Sequence, residues 1–195
     1  MLGSLPTSLE INGKTYEIRS DYRNILRIIE ALSDDELTDN DKMYIVLFRM
    51  IKEFHNLDGK DYAEAYEKVC GFIECHNRSD DKKNPQLVNW EKDEQMIFPA
   101  INAVAGFEVR AVDYMHWWTF LGYFENINNE SLWGFVLSIR QKKAKGKKLE
   151  KYEKEFEANN RELCTVQKKI NPKKAENDLE ALFNQLTEEG GNDDG

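Results

Sequence analysis

Residues 114–124 read Tyr114-Met115-His116-Trp117-Trp118-Thr119-Phe120-Leu121-Gly122-Tyr123-Phe124, the densest apolar stretch of the chain. Wound as a helix, it projects large apolar side chains from nearly every side. Such a helix is either buried all round at the centre of a core or partly covered by a partner. His116 stands alone among these aromatics and is expected to be a hydrogen-bonded core histidine rather than a ligand or a base.

On the C-terminal side, Leu132, Phe135, Val136 and Ile139 repeat the helical spacing. Helices over about 113–126 and 131–143 are therefore expected, forming an antiparallel pair joined by residues 126–129.

Toward the N-terminus the same spacing recurs. Ile97, Ala100, Ile101 and Val104 define a helical face, within which Pro99 removes a backbone donor and should kink or restart the helix. Gly106 suits its end. Tyr62, Ala65, Tyr66 and Val69 make a further set. Tyr44, Leu47, Phe48 and Ile51 follow the polar cluster 38–41, and Tyr22, Ile25, Leu26 and Ile29 follow a capping Ser20-Asp21. The polar stretch 76–86 has no periodicity and reads as a surface loop open to proteolysis.

Residues 9–18 alternate apolar side chains around Asn12-Gly13, a pair suited to a two-residue type I′ turn. A lone hairpin is marginal in water, so it is expected to lie on the helices.

Beyond residue 148 the pattern changes. Leu149, Tyr152, Phe156, Asn159, Leu163, Val166 and Ile170 step by three and four, a narrow heptad-like seam that would meet one partner helix, in this chain or another. Asn171-Pro172 stops it. Leu179, Leu182, Phe183 and Leu186, set among carboxylates, suggest a short amphipathic helix before a frayed tail.

The expected fold is thus mainly α: a single helical domain (1–146) with a small N-terminal β-hairpin (9–18) and a C-terminal helical extension. That extension comprises a long heptad-like helix (147–171), then a short amphipathic helix and disordered acidic tail (172–195).

Composition narrows the function. The chain has 195 residues, 41% hydrophobic and 32% charged, which suits one well-buried core with a heavily solvated surface. A net charge of −9 repels nucleic-acid phosphates over the molecule as a whole. Neither an export signal nor about 18 consecutive apolar residues occurs, so a soluble cytoplasmic protein without membrane contact is expected. Three cysteines are too few and too odd for a disulfide framework.

Catalytic patterns are missing: no glycine-rich phosphate loop, no nucleophile elbow, no metalloprotease histidine pair. Cys70, Cys75 and His76, with His55, offer zinc-type donors, but the Cys70 to Cys75 separation does not match a zinc knuckle. Lys142, Lys143, Lys145, Lys147 and Lys148 form a basic run at a helix end, where they complement the helix dipole. The runs 34–36 and 80–81 read as solvated carboxylates rather than general acids. No enzyme, cofactor or metal is expected.

The run 114–121, then Leu132-Trp133-Gly134-Phe135-Val136-Leu137-Ser138-Ile139-Arg140 and the lysine-rich turn into residues 148–154, resembles the bacteriophage gene-product-fifteen family. The start agrees, with Leu5-Pro6-Thr7-Ser8, a hairpin and a Tyr22-Arg23 helix. The resemblance covers about residues 5–166, and its most specific element is His116-Trp117-Trp118 with Arg140 downstream. It implies a tail-morphogenesis protein of long-tailed phages and prophages, generally taken as a tail assembly chaperone acting in the host bacterial cytoplasm. The implied partner is the tape-measure protein, with the major tail protein and self-association as further options. A structural virion component, for tail completion or the neck, is the alternative. The family carries no catalytic residue to transfer. From periodicity, the candidate contacts are Tyr152, Phe156, Leu163 and Val166 on the seam, and Leu179, Leu182, Phe183 and Leu186 beyond it.

Overall fold

Asn12 and Gly13 take positive φ of 46° and 73° and close a hairpin between β1 (Ser8–Ile11) and β2 (Lys14–Glu17), in which Leu9 faces Tyr16 and Ile11 faces Lys14. Both left-handed residues match the type I′ geometry that asparagine and glycine tolerate. The computed structural model describes residues 3–75 and 87–166. Seven α-helices follow the hairpin among them: α1 (Tyr22–Leu32), α2 (Asp39–Met50), α3 (Tyr62–Glu74), α4 (Trp90–Ala105), α5 (Trp117–Glu125), α6 (Leu132–Ala144) and α7 (Lys151–Asn159). The protein is mainly α, with a small N-terminal hairpin and a C-terminal helix. No helix among the described residues is long and apolar enough to cross a membrane.

Local chemistry sets most helix starts. Asp21 caps α1 by accepting from Arg23 N–H. Thr38 and Asp41 form a reciprocal capping box on α2, and Ser131 accepts from Gly134 N–H on α6. Each such bond satisfies an orphan donor of the first turn. Gly106, in the left-handed conformation, ends α4 as the sequence suggests.

The core is layered around α4. Tyr22 of α1 stacks on Phe120 of α5 with centroids 4.2 Å apart. Ile97 and Ile101 of α4, Trp117 and Phe120 of α5, and Trp133 and Val136 of α6 are all buried in the same cluster. The hairpin rests on α3, burying Ile11 and Tyr16. Two isolated bridges, Ile18 with Ile51 and Asp21 with His116, tie the strand following the hairpin to the rest.

Several expectations need correction. α4 does not restart at Pro99 but continues through it as one helix, with the proline ring exposed. α5 starts at Trp117 rather than near 113, because the His116 imidazole caps it. α5 and α6 are not primarily partners of each other; both pack on α4. The seam helix is short: α7 ends at Asn159, not near residue 170. Asn160 Nδ2–H bonds back to the Phe156 carbonyl at 3.0 Å, and the chain then turns so that the Leu163 carbonyl meets Arg140. The loop 76–86, Ile170 and the segment 172–195 lie outside the described residues.

Candidate protein-binding surface

The family-motif residues form a structural knot. The His116 Nδ1 accepts from Trp118 N–H at 3.1 Å, while Nε2 lies 2.9 Å from the Pro6 carbonyl. A nitrogen accepting from an amide and another facing a carbonyl require the neutral ring protonated at Nε2. His116 is thus the hydrogen-bonded core histidine that the sequence suggests, with the added work of an N-cap. Trp117 Nε1–H donates to the Ile73 carbonyl at 2.8 Å, and Trp118 Nε1–H donates to the Phe72 carbonyl at 2.9 Å. Both carbonyls belong to the last turn of α3, where no intrahelical donor remains. The adjacent indoles therefore close the end of one helix at the start of another, and the first residues of the chain are pinned beside them through Pro6.

Arg140 is the second knot, only 4% exposed. Its guanidinium meets the Asp93 carboxylate in a two-pronged pair of 2.6 and 2.8 Å. Nε–H and an Nη2–H go to the Leu163 carbonyl, and an Nη1–H goes to the Leu87 carbonyl. All five N–H groups are used, joining α6 to the start of α4 and to the chain on either side of the helical body. Asp93 also accepts from Asn89 N–H, so no donor or acceptor in this buried group is left open.

Of the seam residues, Tyr152 is 60% exposed, whereas Phe156 and Leu163 are half-buried against the core and Val166 is half-buried. Phe135 stands between Tyr152 and Phe156, with ring centroids at 6.0 and 5.0 Å. Leu179, Leu182, Phe183 and Leu186 lie outside the described residues.

Sequence reasoning missed an apolar surface on α2. Tyr44 and Phe48 of α2, placed above on one apolar helical face with Leu47 and Ile51, are 52% and 56% exposed. They stack on each other, Phe54 sets its edge against both, and Tyr62 of α3 continues the row at 5.5 Å from Phe54. Residues 43–48 of α2 are all apolar, so more than one face fits the helical period. Packing against α1 and α3 takes Val46, Leu47 and Met50 inside, leaving the rings of Tyr44 and Phe48 on the outside. Two exposed rings, backed by the half-buried Phe54 and Tyr62, have the composition of an interface hot spot.

Packing shifts several further titratable groups. Burial pushes the Cys70 thiol up, and burial together with the neighbouring Cys70 holds the Tyr66 hydroxyl at about 12. Burial pushes the Glu153 carboxyl up, but hydrogen bonds from Lys142 Nζ and Glu150 N–H outweigh it and hold the group below its ordinary range. Among the described residues no group of three His, Cys, Asp or Glu side chains converges as a metal site.

These features define a helical protein with two internal clasps and an aromatic surface open to solvent. The model of the family described as Bacteriophage Gp15 protein matches residues 1–164, and the chain belongs to that family of bacteriophage proteins. No curated protein and no solved structure matches this chain.

Proposed function

We propose that this protein is a tail assembly chaperone, binding the tape-measure protein in the host cytoplasm while a long tail is built. Family membership supports the coarser part of this reading, a phage structural or morphogenesis protein. The observation that supports the finer part is the aromatic row that exposes Tyr44 and Phe48 and continues into the half-buried Phe54 and Tyr62. A long helical client exposes apolar stripes that would otherwise aggregate, and a row of rigid aromatic rings receives such a stripe at i, i+3, i+4 and i+7. Tyr152 offers a smaller second contact. The acidic net charge keeps a coated client dispersed.

Co-expression with the tape-measure protein of the same phage tests the proposal. The expected result is a soluble complex that the double substitution Y44A/F48A abolishes. A tape-measure protein that is no more soluble with this chain than without it would sink the reading.

A further inference from the structure

α6, α7 and the turn that joins them carry both exposed aromatic surface and positive charge. Phe135 and Tyr152 stack on each other and line a recess of about 310 Å³ together with Asn129, Gly134, Ser138 and Gln141. Lys142 and Lys143 are engaged by Glu153 and Glu157 of α7. Lys145, Lys147 and Lys148, in the turn between the helices, are exposed and make no ion pair among the described residues. Like charges gathered in one turn repel one another unless an anion neutralises them.

The same chain contains a segment of the complementary kind. Residues 176–189 hold five carboxylates, Glu176, Asp178, Glu180, Glu188 and Glu189, and no lysine or arginine. Leu179, Leu182, Phe183 and Leu186 supply apolar groups among them. We propose that residues 176–189 of this chain dock on the α6–α7 face, with their apolar side chains on Phe135 and Tyr152 and their carboxylates on Lys145, Lys147 and Lys148. Reach permits it. The Leu163 carbonyl is held by Arg140 on α6 itself, and the nine residues 167–175 can span up to about 30 Å. The whole of α6 is about 20 Å long. Tethering supplies an effective concentration in the millimolar range, so contacts too weak to hold a free peptide suffice. This inference is independent of the tape-measure reading, because it concerns the isolated chain.

The test uses the full-length chain with Phe183→p-benzoylphenylalanine, mixed equally from light and ¹⁵N-labelled preparations and irradiated. Cross-links within one chain, mapping to residues 132–152, are expected. Their yield should fall about tenfold in K145E/K147E/K148E, and comparably in about 0.5 M salt. The neutral variant K145Q/K147Q/K148Q, expected to lose about threefold, keeps the test readable if charge reversal disturbs α7. Absence of cross-links to this face, cross-links confined to pairs of different chains, or a yield indifferent to the lysine substitutions would overturn the proposal.

Discussion

Replacing Arg140 by alanine removes five N–H donors at one stroke and leaves the Asp93 carboxylate buried with, among the described residues, the Asn89 N–H as the remaining partner of its side chain. The Leu163 and Leu87 carbonyls lose their donors as well. Breaking a buried ion pair from one side costs about 3–5 kcal/mol, because the surviving charge is left without compensation. A domain of this size is stable by only about 5–15 kcal/mol, so R140A should consume a large part of that margin. Urea unfolding followed by circular dichroism reads the loss as a lower midpoint. The pair itself is a different quantity. The double substitution R140M/D93L removes both charges and keeps apolar volume, and it should recover most of the loss, since a buried pair is often no better than well-packed hydrophobes. D93N alone should fall between, as an amide still accepts from one prong. If R140A costs less than about 1 kcal/mol, or the double substitution is no better than the single, the clasp does not hold α4, α6 and the 160–166 segment together as argued.

Other consequences can be measured separately. H116N keeps a side-chain acceptor able to cap Trp118 N–H and should be milder than H116A, which loses cap and Pro6 bond together at about 1–2 kcal/mol; equal losses in urea titration would contradict the capping role. Y44A/F48A should lower the unfolding free energy by about 1–2 kcal/mol, since each ring is about half exposed, and a collapse of stability would show them to be core. Glu153 titrates below its ordinary 4.5, so it stabilises the fold above that pH and the contribution fades as pH falls through the depressed value; E153Q should flatten the acid limb of a stability-versus-pH curve, and an unchanged limb would contradict this. Immunoblots of purified mature phage particles should lack the protein, whereas retention would favour a structural virion component.

Features encoded within a few residues were readable in the sequence. Asn12-Gly13 between alternating apolar residues gave the hairpin, Asp21 the start of α1, the 38–41 cluster the start of α2, and Gly106 the end of α4. Those are local bonds between neighbours, and residue type nearly determines them. What escaped depends on distant partners. Nothing near Trp117 and Trp118 indicates that their indoles finish α3, 44 and 46 residues earlier. The heptad spacing past Leu149 is real, but a periodic pattern does not know that Arg140 draws the Leu163 carbonyl inward and Asn160 ends the helix first. On α2, the uniformly apolar run 43–48 left the outward face undetermined until α1 and α3 had chosen theirs. The candidate interface was therefore the least legible part, because exposed aromatic residues and buried ones look alike in a sequence.

The Pro6 carbonyl finds its donor on His116, 110 residues further along. A ribosome adding about 5–20 residues per second needs roughly 5–20 s to make that intervening stretch. Through that interval the Pro6 carbonyl lacks this donor, while the hairpin already has α3 and the end of α2 to rest on, the latter through the Ile18–Ile51 bridge and the Lys52 N–H to Glu17 carbonyl bond. Translation speed across α4 and α5 thus governs how long a nascent copy waits with that clasp open.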